Sequence, residues 1–166
     1  MGLLIALSIR AGEQLLPLLG IALVVGISVA LFIRRQVSAG AWQNVDASRP
    51  SERPALFAVI GLMCAAVGSW FLITGALAQA RGTLAVAVMT LVAAALLRWI
   101  KLSLHMAFGL YAACVLLQVR PPFGIGLLLL MPLLAWSRLK LGRHRLSEVI
   151  GGSILGALTA AAVLYL

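Results

Sequence analysis

The sequence is poor in acid: four Asp/Glu residues stand against 13 Lys/Arg, and histidine and cysteine occur only twice each. Charged residues of both signs are scarce too, at 10% of the chain against 63% hydrophobic, where a soluble domain carries roughly 25% and 45–50%. That balance excludes a soluble globular domain and marks a membrane protein. The few carboxylates, Glu13, Asp46, Glu52 and Glu148, form no cluster suited to magnesium, and no metal or other cofactor is expected. Cys64 and Cys114 each lie alone inside an apolar run, which excludes a disulfide framework and a zinc site. Aromatic and basic residues are not interleaved, and no nucleic-acid motif is present. The excess of cations therefore points to the lipid bilayer or an anionic substrate as partner, and not to nucleic acid. No linker, low-complexity tract or solenoid-length repeat is present, so a single domain over residues 1–166 is expected. Residues 1–9 are apolar but lack a basic leader and a small-residue cleavage site. They are expected to be retained, with residues 1–13 lying in the membrane interface.

What the chain does have is long apolar runs, and a spanning helix needs about 20 such residues. Residues 15–33 form the first, with Arg34 and Arg35 expected to stop it. A polar connection over residues 36–53 follows, where Pro50 and Pro54 argue against continuous helix and Pro54 suits the first turn of the next. A second helix is expected from Ala55 to about Ala80, broken at Arg81 and Gly82, and a third from Thr83 to about Ile100, closed by Arg98 and Lys101. The fourth covers residues 106–119 and ends at Arg120, Pro121 and Pro122. The fifth starts at Phe123 and carries Pro132, expected to kink it one turn before Ser137. The sixth begins near Leu146, and its Gly152 and Gly156 are assigned to close helix packing. The fold class is therefore all-α, an integral membrane bundle of six transmembrane helices. Trp42, Trp99 and Trp136 are expected in an interfacial belt, and Trp70 in packing.

Six crossings bring the loop ending at Arg53, the turn from Lys101 to His105 and the segment from Ser137 to Glu148 to one face. Both histidines lie there, with Asp46, Glu52 and Glu148, while Arg10, Glu13, Arg81 and Arg120 fall on the other face. The last of these segments holds the densest charge in the chain. If helix begins at Gly142, His144 and Glu148 share one face, and the carboxylate holds the imidazole as a nucleophile or base. Arg138 adds a planar fork of donors suited to an oxyanion. Lys140, Arg143, Arg145, Arg34 and Arg35 are assigned to snorkelling or topology and to no site. The plain alternatives are an interfacial ion pair for His144 and Glu148, and a lone interfacial histidine for His105.

These residues resemble the three signatures of the type 2 phosphatidic acid phosphatase superfamily over roughly residues 46–150. Ser137 and Arg138, five residues, His144, three residues and Glu148 are similar to the third signature, SR-x5-H-x3-D. Residues 101–105 resemble the second, PSGH, and Arg53 with Pro54 the end of the first, K-x6-RP. The departures are Asp46 at the lysine, Leu102 and Leu104 at the proline and glycine, and Glu148 at the aspartate. The resemblance implies an integral-membrane, metal-independent phosphatase with His144 as nucleophile, Glu148 as its orienting carboxylate and His105 as general acid. It implies that Arg53, Lys101, Ser103, Ser137, Arg138 and the backbone at Leu104 bind the phosphoryl oxygens. Arg49 or Lys101 would supply the charge missing at Asp46. The implied substrate is a membrane lipid phosphate or diphosphate of the polyprenyl diphosphate, phosphatidate or phosphatidylglycerophosphate class, hydrolysed through a phosphohistidine. Alternatives are a lipid phosphotransferase of the same chemistry, and a membrane scaffold or lipid transporter with a decayed site.

The expected location is a cell membrane, crossed several times, with a bacterial inner membrane implied by the resemblance. Ten of the 13 Lys/Arg fall on the motif face and three opposite, which assigns the motif face to the cytoplasm. Setting aside Arg53, Lys101 and Arg138, which the site itself requires, leaves seven against three. A cysteine introduced by Ser147→Cys is therefore expected to resist an impermeant thiol reagent in intact cells. Labelling there would put the motifs on the outside.

Overall fold

The computed structural model describes residues 15–45 and 49–165, so the expectations for residues 1–13 and for Asp46 lie outside the described residues. Among those described, all regular structure is helical. The helices are α1 Leu15–Ser38, α2 Arg53–Ile73, α3 Leu77–Leu96, α4 Leu104–Val119, α5 Pro121–Lys140 and α6 Leu146–Tyr165, with a 3-10 turn at Pro50–Glu52. Four of them, α2, α3, α5 and α6, are long and apolar enough to cross a membrane, and α4 is a shorter apolar helix. Leu62, Ile73, Phe123 and Leu129 stand 70–82% exposed on the outside, a surface that suits lipid and not water.

Three helices end alike, each on a glycine in the left-handed region. Gly40, Gly75 and Gly142 have φ of 70°, 76° and 63°. In each case the glycine amide and the next one return to carbonyls of the last helical turn: Gly40 to Val37 and Ala41 to Gln36, Gly75 to Leu72 and Ala76 to Phe71, Gly142 to Leu139 and Arg143 to Arg138. This pair of bonds satisfies carbonyls that the helix end leaves without partners, and glycine adopts the required φ at no steric cost.

The closures move two expected boundaries. α1 runs through Arg34 and Arg35 to Ser38 instead of stopping at them, because cations are favourable in a last helical turn. The break between α2 and α3 falls at Thr74–Ala76 and not at Arg81–Gly82. Thr74 Oγ1 bonds back to the carbonyls of Trp70 and Phe71, and Gly75 turns the chain. Arg81 and Gly82 then lie inside α3, with the Gly82 carbonyl accepting a bond from Tyr111 at 2.9 Å. Gly142 closes α5, and α6 begins at Leu146, as expected. α2 starts with Pro54 in its first turn, as expected, and α5 runs unbroken through Pro132.

α2 and α3 pack as a hairpin, α4 packs on both α5 and α6, and contacts of α3 with α6 join the two groups. Lipid is as apolar as leucine, so close van der Waals approach must hold such helices together. Gly152 and Gly156 provide it. A methyl at Gly152 would collide with the Ser103 carbonyl, and one at Gly156 with the Ala107 carbonyl. The buried clusters of Phe57, Ala93, Leu102 and Leu104, and of Met106, Met131 and Val149, lie at the helix ends that carry the motifs. They form the floor on which the polar loops rest.

The tryptophans divide differently from the expectation. Trp42 is buried, its ring edge-on to Phe32 with centroids 5.5 Å apart, because the turn after Gly40 folds it back on α1. Trp70, assigned to packing, is exposed near the end of α2. Trp99 and Trp136 are exposed, with Arg98 3.6 Å and Lys140 5.4 Å from their ring centroids.

Gly152→Ala and Gly156→Ala are each expected to destabilise the bundle by ~1–3 kcal/mol, the usual cost of overpacking. Gly126→Ala, whose methyl would meet nothing within 4 Å, is the control and should be neutral. Thermal unfolding of the three variants in one detergent checks this.

Candidate active site

The end of α5 sets the geometry. Its last turn carries Ser137 and Arg138, Gly142 reverses the chain, and the amides of Arg143 and His144 both donate to the Arg138 carbonyl, at 3.1 and 3.3 Å. The interval from Arg138 to His144 is thus the length of one helix closure. His144 lies in the loop before α6, so the condition of helix from Gly142 is not met. Its contact with Glu148 forms all the same, with Nδ1 2.8 Å from Oε2. Glu148 is the third residue of α6 and reaches back over the helix start, where Oε2 also accepts from the Arg145 amide at 3.3 Å.

The partners define the tautomer. A carboxylate only accepts and a guanidinium only donates, so Nδ1 carries the proton and Nε2 the lone pair. Arg53 Nη2 lies 3.4 Å from Nε2, a long contact, while its Nη1 donates to the Leu102 carbonyl at 2.9 Å. The ring is 5% exposed. Burial pushes the His144 imidazole below its usual range; the Glu148 hydrogen bond and charge oppose this, and the charges of Arg53 and Lys101 reinforce it. The free site therefore holds a neutral imidazole whose lone pair faces a guanidinium.

Around that lone pair a cleft of about 40 Å³ opens, against the ~10–15 Å³ that one water needs, so it admits a small polyatomic anion. Arg53 and Leu56 line it from α2, Leu104 and His105 from the first turn of α4, and Arg138, Arg143 and His144 from the end of α5 and its loop. The first-turn amides of α4 have no acceptor within their own helix and add positive potential there.

Of the residues singled out in the sequence, the structure thus brings Arg53, Leu104, His105, Arg138 and His144 to one cleft, with Glu148 behind His144. Lys101, Ser103 and Ser137 lie next to it and not on its wall. Lys101 Nζ donates to the Arg143 carbonyl at 3.0 Å, and burial pushes its ammonium below the usual range. Ser103 is fully buried, its amide donating to the Glu148 carbonyl at 3.1 Å, and its Oγ has no hydrogen-bond partner among the described residues. The Ser137 carbonyl accepts from Leu141. Arg49 is exposed and does not line the cleft, and its amide is bonded to Glu52 at 3.2 Å.

Two residues went unassigned. Glu52, 4% exposed, accepts from the amides of Gln43 and Arg49 and so ties the loop before α2 to the residue preceding Arg53. Its signal was its place three residues after Arg49, at the start of a helix. Arg143, assigned to topology, lines the cleft, and Gly142 in the helix-closing position was the signal that the chain would turn it there.

Comparison with family models, with curated proteins and with solved structures finds no match for the chain.

The titration of His144 tests this electrostatic account. Its midpoint should lie below 6.5, rise in Arg53→Gln, where an opposing cation is lost, and fall further in Glu148→Gln. NMR of histidine-labelled protein in micelles measures it. With the folded value below the unfolded one, the neutral ring's contribution to stability is complete above about 6.5 and is lost as pH falls through the folded value.

Proposed function

We propose that the protein is an integral-membrane, metal-independent phosphatase that hydrolyses the phosphate or diphosphate head group of a lipid through a phosphohistidine at His144. One observation carries the reading: an imidazole oriented by Glu148 at 2.8 Å, with Nε2 on the side away from that carboxylate, lines a cleft that also holds Arg53, Arg138 and His105. Phosphoryl transfer needs such a nucleophile, a proton donor across from it, and cations about the equatorial oxygens. The resemblance to the type 2 phosphatidic acid phosphatases agrees with these roles.

In the first half-reaction an incoming phosphoryl group takes over the Arg53 guanidinium, and Nε2 of His144 attacks phosphorus. A P–N bond forms, the P–O bond to the lipid breaks, and His105 gives its proton to the departing oxygen. Glu148 stabilises the positive charge that grows on the ring. In the second half-reaction water attacks phosphorus, its proton passes to His105, and orthophosphate leaves with the His144 ring restored.

The position of the cleft supports a lipid substrate when all six helices are read as spans. α4 has 16 residues. At 1.5 Å per residue that is about 24 Å, roughly 6 Å short of the hydrocarbon core. With Arg120 taken at the opposite interface, the shortfall falls at His105, which would set the cleft roughly 6 Å inside the hydrocarbon boundary, just beneath the head groups and within reach of a lipid's phosphate. The charge excess favours the cytoplasmic side for this end.

Purified protein given mixed lipid phosphates in detergent with a chelator should release orthophosphate. Transfer to a lipid hydroxyl without release would assign a phosphotransferase, and neither outcome would leave a non-enzymatic membrane protein. His144→Ala should be inactive on every ester. His105→Ala should lose ~10²- to 10⁴-fold on alkyl phosphates yet keep most activity on an activated aryl phosphate, whose leaving group needs no proton. Rapid-quench labelling should trap an acid-labile adduct in the wild type and His105→Ala, and an adduct persisting in His144→Ala would reverse the roles.

A further inference from the structure

One cation in the cleft has no part in the mechanism above. Arg143 lines the wall together with Arg53 and Arg138. Its backbone is held on both sides: the amide donates to the Arg138 carbonyl at 3.1 Å, and the carbonyl accepts from Lys101 Nζ at 3.0 Å. Gly142, at φ 63°, sets the turn that delivers it. These bonds hold the backbone of Arg143 beside the cleft, next to His144. Three arginines, from α2, from the last turn of α5 and from the loop, thus line a space of about 40 Å³. A phosphoryl group in transfer spreads its charge over three equatorial oxygens, and a guanidinium is the side chain best shaped to meet each.

We propose, resting on the reading of this cleft as a phosphoryl-transfer site, that Arg143 is its third phosphoryl-binding residue and that Lys101 is a positioning residue acting through the Arg143 carbonyl. The cation that the sequence appeared to lack at Asp46 is then supplied from the loop that carries the nucleophile. Lys101 fixes that loop and makes no direct contact with phosphate.

The test measures orthophosphate binding by calorimetry, with KM, kcat and the thermal midpoint, on full-length protein in detergent. Arg143→Gln should weaken orthophosphate binding by about tenfold or more and raise KM at an unchanged thermal midpoint. Arg143→Lys should recover part of the loss. Arg145→Gln, one residue on and exposed, should match the wild type. Lys101→Gln combined with Arg143→Gln should bind no worse than Arg143→Gln alone, because the two act through one contact. An additive loss would make Lys101 a direct ligand and overturn its role here. Binding by Arg143→Gln within about twofold of Arg145→Gln would overturn the role of Arg143. So would equal losses in Arg143→Gln and Arg143→Lys with a lowered midpoint, which mark a structural residue. If the wild type binds orthophosphate through Arg143 but hydrolyses no lipid phosphate, the phosphatase reading fails and this assignment stands.

Discussion

The candidate site depends on three hydrogen bonds that converge on the short extended segment ahead of α4. Lys101 Nζ reaches the Arg143 carbonyl at 3.0 Å, the Leu102 carbonyl receives Arg53 Nη1 at 2.9 Å, and the Ser103 amide donates to the Glu148 carbonyl at 3.1 Å. Each of three consecutive residues therefore binds a different distant segment: the loop after α5, the start of α2 and the start of α6. Apolar burial does little to orient helices in lipid, so polar bonds between their ends are what can define the arrangement. Arg53 and Ser103 are buried, where a donor left without its acceptor costs ~1–3 kcal/mol or more. The bonds are consequently held as a set. The tight contact of Gly152 with the Ser103 carbonyl brings α6 close enough for the third of them.

The electrostatics of His144 come from the same arrangement. A histidine beside one carboxylate alone would gain protons more readily, and one beside cations alone would lose its orientation. Here Glu148 fixes the tautomer, while burial, Arg53 and Lys101 keep the ring neutral. An anion in the cleft would offset the Arg53 charge without touching Glu148. On the proposed reading the balance would then move towards the charged ring that nucleophilic attack on phosphorus creates.

Much of the fold was legible because apolar runs of helix length are a strong signal, and the positions of α2 to α6 follow from it to within a few residues, the α2–α3 break excepted. That break was misplaced because Arg81 was read as an interface marker, whereas an arginine near a helix end can lie within the helix and extend outward. The true marker was Thr74 with Gly75. At Gly142 the same kind of glycine closure ends α5, and α6 starts at Leu146, where it is expected. His144 and Glu148 were paired correctly, since a residue just before a helix and one in its first turn approach each other as closely as two residues one turn apart. The roles of Lys101 and Arg143 were not legible. Both are basic residues beside a histidine, and only the fold shows that one holds a carbonyl while the other faces the cleft.

Glu148 shows why a longer acid suits this position. Its Oε2 accepts from His144 Nδ1 and from the Arg145 amide at 2.8 and 3.3 Å, while its own carbonyl takes the Ser103 amide. Reaching back from the third residue of a helix to the amide ahead of it is what glutamate and glutamine do in helix starts, and the extra methylene provides the reach. A carboxylate there also meets the positive end of the helix dipole. Glu148 is therefore held by its own helix before it holds the histidine, and the imidazole is oriented by a group that is itself fixed. A glutamate at this position suits where α6 begins: with the helix starting at Leu146, the acid serves the helix start and His144 together, and glutamate reaches both.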